Sequence, residues 1–473
     1  MKGRSHETEG VVTGLEEVQA RARELEEYVE SVGSSGEERP SFQEVEREIR
    51  ELSASVERAA TAAALLAFEP DAEEVEYDGR RYRRMSAPTE ATYWSMAGGL
   101  RVPRYLFREV GVRNGPTIVP LELAAGIVDG RLTPEAAQAS AFLMQALPSR
   151  EAEELAQRLG VLQQSRTTLA RTGEMLGQQW EENRLEGEDY LMAVFEVPEK
   201  AGSISVSIDR VSLPMEEPIR RGPGRPRKGA AKRPIKVAWR MAFCAVLTLH
   251  DAEGEPLASI RYGRVPGEGA ASQVVSSLAG DLHAILGEHP DLKLVALADG
   301  AAEMQRLLDE ATSGLEVDVR LVDFWHLIEK LAAAVTATGR DTTDLLQRWK
   351  KKLKTAPNAI QRILLELRTW ALDYEQPPAA LHQAITYLEN NGDRMRYDLA
   401  RQANLPIGSG HVEATCKTLV STRMKRSGAR WKKPGAQAIM NLRSLAKSSR
   451  WDPAMTFLLD THQGRITAIR DAA

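Results

Sequence analysis

Two stretches decide the fold: Ser203-Ile204-Ser205-Val206-Ser207-Ile208-Asp209 and Leu292-Lys293-Leu294-Val295-Ala296-Leu297-Ala298-Asp299. Each is a short, mostly apolar run that ends on an isolated aspartate. Each therefore reads as a buried strand that emerges at a carboxylate. Between them lie two more strand-like runs, VAWRMAFCAVLTLHD and PLASIRYGRV, and a helical stretch, Gly269–Glu288. A helix over Ala301–Glu310 and the strand-like VDVRLVDFWH follow. Three consecutive strands and then β-α-β units predict an α/β fold whose mixed sheet has a parallel half and right-handed crossovers. In such sheets ligands bind beyond the carboxyl ends of the strands.

Working outward, residues 332–404 read as helical, broken at Pro377-Pro378. The turn Leu405-Pro406-Ile407-Gly408-Ser409-Gly410 then opens a basic helix over 411–427 that carries Glu413, expected to face inward. The run SGARWKKPG leads to a last helix, Ala436–Lys447, and 451–473 reads as a tail. On the other side, residues 1–69 form an acidic helical region. Leu15, Val18, Leu25 and Val29, then Val45, Ile49, Leu52 and Val56, recur at helical spacing, as in a hairpin or a dimerising coil. Residues 70–116 look irregular or β-rich. Helices are expected from Pro134 to Leu147, from Glu151 to Leu159 capped by Ser149, and from a Ser165 cap to Trp180. Their spacing is that of a helix-turn-helix within a 70–200 region, although three packed helices without DNA look the same.

A chain of 473 residues holds two or three domains. Its 42% hydrophobic and 27% charged content is ordinary for globular protein. No apolar run reaches the roughly 18 residues of a membrane span and no signal peptide stands at the start, which predicts a cytoplasmic protein without membrane contact. Cys244 and Cys416 are too few for a disulfide framework and read as small core residues. The net charge of −5 hides an uneven distribution. Residues 1–78 carry 21 Asp and Glu against 8 Lys and Arg. Residues 414–450 carry 10 Lys and Arg and no acid, and residues 210–240 carry 10 against Glu216 and Glu217. Two basic runs, each beside a candidate carboxylate, point to nucleic acid.

Three carboxylates on two strands and a later helix suit a Mg²⁺-dependent phosphoryl-transfer site. Mg²⁺ takes few carboxylates and keeps room for water and phosphate oxygens. Two such ions activate the attacking oxygen and stabilise the leaving one. If their strands are neighbours, Asp209 and Asp299 could chelate one ion, and would repel each other without it. The glycines before Glu413 allow a phosphate to approach a helix N-terminus. Lys417, Arg423, Lys425, Arg426, Arg430, Lys432 and Lys433 are candidate phosphate contacts. Gly222-Pro223-Gly224-Arg225-Pro226-Arg227-Lys228 resembles an AT-hook core, with Arg225, Arg227 and Lys228 suited to a narrow minor groove or simply to a basic loop. Trp325, Trp370 and Trp431 are stacking candidates, with core packing as the commoner fate.

Residues 405–445, LPIGSGHVEATCKTLVSTRMKRSGARWKKPGAQAIMNLRSL, resemble DDE transposases of bacterial insertion sequences, of the ISKra type. So do SISVSIDRVSLPMEEP, LADGA, VDFWHLIEKL and YLENNGDRMRYD. The resemblance covers roughly 200–450 and is weaker over 80–185. It implies an RNase H-like catalytic domain, a mixed five-stranded sheet over 201–331 with a helical insertion at 332–404. Residues 405–450 would supply the Glu helix and basic C-terminal helices, all preceded by a mainly α-helical N-terminal region. It implies Asp209, Asp299 and Glu413 as catalytic metal ligands for two Mg²⁺, with Mn²⁺ as a substitute. His326, in an Asp323-x-x-His element, would act near the scissile phosphate or order the site. Arg210 departs from the pattern, since relatives often have glycine there. The activity implied is cleavage at element ends and strand transfer into target DNA by a homo-oligomer that binds terminal inverted repeats. A nuclease of the same fold and a non-catalytic DNA-binding regulator are the alternatives.

Overall fold

The computed structural model describes residues 14–34, 39–219 and 235–469. The candidate AT-hook residues Arg225, Arg227 and Lys228 lie outside the described residues. The chain divides into two units, Met1–Leu176 with Met455–Ala473, and Gly177–Ala454.

The second unit is built on β1 (Ser203–Pro218), β2 (Ile235–His250), β3 (Pro256–Arg264), α1 (Ala270–Glu288), β4 (Lys293–Ala298), α2 (Ala302–Ala311) and β5 (Val319–Val322). Its five strands are ordered β5-β4-β1-β2-β3. The β1–β2 and β2–β3 pairs are antiparallel, and β4 runs parallel to both β1 and β5. The mixed sheet with a parallel half is thus present. β1 is longer than the sequence suggested: it stays paired with β2 from Ser203↔His250 to Pro218↔Ile235. Asp209 therefore sits in mid-strand and not at a strand end.

Alternation along β1 sends Ile204, Val206 and Ile208 to one face, where they join Leu294, Ala296 and Ala298 and are covered by Val274, Leu278, Leu307 and neighbours of α1 and α2. The other face carries Ser203, Ser205, Ser207 and Asp209. It is covered by the helices α3 (Phe324–Ala337), α4 (Thr342–Thr355), α5 (Ala359–Ala371), α6 (Ala379–Asn391), α7 (Tyr397–Gln402), α8 (Gly410–Cys416) and α9 (Lys433–Lys447). Val295 and Leu297 of β4 share one core with Phe324, Leu331, Trp349, Ile363, Leu388 and Tyr397. The helical segment expected at 332–404 therefore packs directly on the sheet. Asp323 explains why the strand expected through His326 stops at Val322. Its carboxylate accepts the His326 backbone N–H at 2.6 Å and so caps α3.

In the first unit, helices Leu15–Ser34 and Phe42–Leu66 pack on each other. A capping box starts the second: Glu44 accepts the Ser41 N–H at 2.9 Å, and Ser41 Oγ accepts the Glu44 N–H at 3.3 Å. Residues 70–118 form short strands, among them the hairpin Thr89–Ser95 with Gly98–Arg104. Helices Pro134–Ala146, Ser149–Leu159 and Arg166–Glu182 follow. The cap of the middle helix is Pro148 and not Ser149, whereas Ser165 Oγ does accept the Thr168 N–H at 3.3 Å. The C-terminal segment is more than a tail: it forms helix Trp451–Asp460, and strand Thr467–Ile469 pairs antiparallel with Glu74–Tyr77. No helix among the described residues is long and apolar enough to cross a membrane.

Candidate active site

The register between β4 and β1 places the two aspartates. Leu297 pairs with Ser207, so the same parallel register continued by two residues sets Asp299 level with Asp209. Neighbouring strands lie about 4.8 Å apart. By alternation both carboxylates belong to the face covered by α3–α9. Asp209 accepts the Arg210 N–H at 2.6 Å and lies 3.9 Å from the Cys416 thiol of α8, which donates to it. Burial raises the Asp209 carboxyl above the ordinary aspartate range, and the nearby Asp299 pushes the same way. Asp299 ends β4. Its side chain accepts the Ala301 N–H at 2.8 Å, and its carbonyl accepts the Tyr387 hydroxyl at 2.7 Å.

Glu413 lies on α8, whose inward residues Val412, Thr415 and Cys416 pack on β1 and β2. Glu413 itself is exposed, contrary to the inward orientation expected, because it falls off that stripe. Partial burial raises its carboxyl, followed by the fields of Asp323 and Glu329, while His326 opposes them and Asp209 adds a smaller push. His326 also acts on Asp209 in the sense that favours its charge. Asp209 thus stands within electrostatic reach of Asp299, His326 and Glu413, and Glu413 within reach of His326.

The glycine turn is used differently from the expectation. The Ser409 N–H donates to Asp323, and the Phe324 N–H donates to the Ile407 carbonyl at 3.0 Å. One N–H before the helix is therefore spent on Asp323 and not on a phosphate. A Cβ on Gly408 would stand 3.0 Å from Trp325 Cδ1. Gly408 is needed because the turn passes against that indole. Asp323, 3% exposed, thus ties the start of α3 to the turn that leads into Glu413.

After α8 the helix widens into a π-turn, Lys417–Ser421, before Thr422–Met424. Arg443 of α9 is buried beneath it. It donates to the Leu419 carbonyl at 2.8 Å, to the Thr418 carbonyl and to Thr422 Oγ1 at 3.1 Å. Burial and then Arg423 lower the Arg443 guanidinium to about 10. Such widened turns are frequent at functional sites.

Lys417, Arg426, Arg430, Lys432 and Lys433 are exposed, and Lys425 is half-buried. Arg430 pairs with Glu216 at 3.2 Å. Arg423 is a correction: it is 7% exposed and lies over the Trp431 ring at 5.4 Å, so its head is held in packing and not presented to phosphate. Trp431 donates to the Met424 carbonyl at 2.9 Å, and Trp370 stacks on Trp349 at 5.6 Å, so both serve packing. Trp325 is 53% exposed. Sequence reasoning missed Trp239, 59% exposed on β2 with Lys425 5.8 Å from its ring centre. The alternation Ile235, Val237, Trp239, Met241 on an outer strand end was its signal. Arg210 pairs with Glu303 of α2. Its side chain therefore leaves the carboxylate face, although it stands where the resembling family often has glycine.

Among the described residues no three His, Cys, Asp or Glu side chains stand together as a ready-made metal cage. Two neighbouring aspartates, one of them half-buried and with its charge disfavoured by desolvation and by the other's charge, nevertheless fit Mg²⁺, which binds through one or two carboxylates and completes its shell with water and phosphate oxygens. No protein-family model matches the chain, and neither does any curated protein.

Proposed function

We propose that the chain is a DNA transposase of the DDE class, with an RNase H-like catalytic domain in its second unit. The observation that carries this reading is the nearness of Asp209 to Asp299, which follows the neighbouring parallel strand, with the Glu413-bearing helix α8 packed on β1 and β2. The strand order β5-β4-β1-β2-β3 supports the RNase H-like assignment, and the resemblance of residues 405–445 supports the transposase.

Asp209, Asp299 and Glu413 would hold two Mg²⁺, or Mn²⁺ in their place, which supply activation of the attacking oxygen and stabilisation of the leaving oxygen. The chain's own contribution is positional. The strand pair fixes two carboxylates against each other. Asp323 fixes the turn that presents the third. Exposed Glu413 reaches the side from which DNA must approach. Lys417, Arg426, Arg430, Lys432 and Lys433 would hold backbone phosphates and set register without reading sequence. His326, within the field of both Asp209 and Glu413, would orient the scissile phosphate. Water attacks first and frees a 3′-hydroxyl; that hydroxyl then attacks a phosphodiester of the target. Two element ends require two catalytic centres, so a homo-oligomer is part of the proposal.

The test is Mg²⁺-dependent cleavage and joining of DNA carrying the ends of the element that encodes the chain, with Glu413→Gln as control. Cleaved and joined products that vanish in the variant support the reading. Cleavage without joining replaces it with a nuclease. DNA binding that is equal in both proteins, with neither product, replaces it with a regulator.

A further inference from the structure

One cleft is left over by the catalytic assignment. It measures about 920 Å³, within the roughly 300–1,000 Å³ of small-molecule sites. It opens beside Gly300, the residue after Asp299, and its far wall is α6. Lys330 and Arg394 supply positive charge, His382, Gln383 and Asn390 supply donors and acceptors, and Tyr387 supplies a ring; no carboxylate lines it. Tyr387, Asn390 and Arg394 come from the YLENNGDRMRYD segment, which supplies no carboxylate to the proposed metal site and touches it only through the Tyr387 hydroxyl.

The wall is fixed relative to the strand end. Tyr387 Oη donates to the Asp299 carbonyl at 2.7 Å, and a Cβ on Gly300 would stand 2.8 Å from that oxygen. Asn391 Nδ2 donates to the Tyr387 carbonyl at 3.0 Å, and Arg394 donates to Asn391 Oδ1 at 3.3 Å, so the cation is braced by the helix that carries the ring. Lys330 Nζ lies 5.9 Å from the Tyr387 ring centre. Gln383 and Asn390 are exposed into the opening.

We propose that this cleft binds one unpaired nucleotide of the DNA strand next to the scissile phosphate. The argument is chemical. With the Asp393 carboxylate, 3.9 Å from Arg394 Nε, largely exposed and outside the lining, an anionic ligand suits Lys330 and Arg394. It must carry an edge of mixed donors and acceptors to suit two primary amides. Its flat face would lie against Tyr387. A nucleotide has all three properties, and base–aromatic stacking is worth roughly 1–3 kcal/mol per base. The assignment to a DNA strand, and not to a free nucleotide, rests on the proposed function, because the cleft adjoins the catalytic Asp299. The nucleotide would hold the strand while its neighbouring phosphate is cut.

The test uses the full chain and duplex DNA with a single-stranded tail carrying 5-iododeoxyuridine at successive positions. Irradiation and peptide mapping should place a crosslink within residues 379–394. The exposed double variant Gln383→Ala/Asn390→Ala should crosslink roughly tenfold less at equal DNA concentration, with binding of tailless duplex unchanged. Deoxynucleoside monophosphates should compete weakly, whereas competition equal to that of the tailed DNA would overturn the strand assignment. Crosslinks confined to other residues, such as Trp325, or an unaltered yield in the double variant, would overturn the proposal outright. Asp299→Asn should abolish Mg²⁺-dependent cleavage and keep the crosslink. A crosslink in the cleft of a protein that cleaves nothing would retain the nucleotide site and remove the catalytic reading.

Discussion

The two faces of β1 differ by one residue of phase and by almost everything else. Ile204, Val206 and Ile208 enter a dry core with α1 and α2. Ser203, Ser205 and Ser207, on alternate positions of the same strand, point to a buried polar layer, and half-buried Asp209 continues it. In that layer Ser205 Oγ meets His250 Nε2 at 2.8 Å, and the His250 ring lies edge-on to His411 at 5.6 Å. The first face stabilises the sheet. The second holds polarity and the Asp209 carboxylate, whose charge its surroundings disfavour, and it is the face on which α8 brings Glu413. A strand with period two can divide stability from chemistry in this way without any change of backbone.

The largest expected effect tests that division directly. Asp209→Asn and Glu413→Gln should each lower Mg²⁺-dependent cleavage by roughly 10⁴-fold, the scale of losing a member of a catalytic unit. Asp209→Asn should leave the urea midpoint unchanged or raise it, because burial and Asp299 both disfavour the charge it removes. A large loss of stability in that variant would mean that the polar face is structural after all.

Next comes the opposite face. Ile208→Ala, one residue away and 1% exposed, should cost about 2–5 kcal/mol of stability by transfer and cavity terms. Equilibrium urea unfolding measures it. Cleavage per folded molecule should change far less than in Asp209→Asn. If the two neighbours gave the same ratio of lost activity to lost stability, the contrast between the faces would not stand.

His250 sharpens the picture through pH. Burial first, and then His411, lower its pKa from 6.5 to about 4. The folded state therefore favours the neutral ring, whose Nδ1 faces the Gly254 carbonyl at 3.2 Å. The neutral ring's contribution is fully present above the unfolded value near 6.5 and is lost as pH falls through about 4. The size is at most about 3 kcal/mol. Asp209 and Glu413, with raised values, act in the opposite sense, so the readout is a difference between proteins that share them. The stability gap between wild type and His250→Gln should shrink as pH drops from neutral towards about 4. A gap that stays constant would show that His250 is not held neutral by its surroundings.

Much of this was legible in the chain, and the reasons are local. The β1 and β4 runs announced themselves by apolar density and a terminal carboxylate, and the mixed sheet followed from the order of strands and helices. Strand lengths were harder to read. Beyond Asp209, Val211, Leu213 and Met215 continue the alternation, but Arg210, Glu216 and Glu217 look like an ending until β2 is seen to pair with all of them. The strand expected through His326 stopped because one carboxylate, Asp323, caps a helix. The inward Glu413 failed on phase, since Val412, Thr415 and Cys416 define the packed side of α8. Arg423 looks like a DNA contact in a basic run that also holds Arg443, yet tertiary packing buries both. No periodicity within 414–450 separates buried arginines from exposed ones, because their partners are a tryptophan ring and the carbonyls of a π-turn.

The smallest effect tests where the polar face meets the cleft. Gly300 has φ +87°, and a Cβ there would stand 2.8 Å from the Tyr387 hydroxyl. Gly269 has a similar φ of +73° with nothing within 4 Å of its Cβ position. Both glycine-to-alanine changes carry the backbone cost of a left-handed alanine, about 1–2 kcal/mol. Only Gly300→Ala must also displace Tyr387 from the Asp299 carbonyl. Thermal unfolding of the two variants side by side isolates that contact as the excess for Gly300→Ala. Gly300→Ala should in addition lower cleavage, because Asp299 loses the tether on its carbonyl, while Gly269→Ala should not. Equal stability costs and equal cleavage would mean that Tyr387 yields freely, and that the strand end carrying Asp299 is held by the sheet alone.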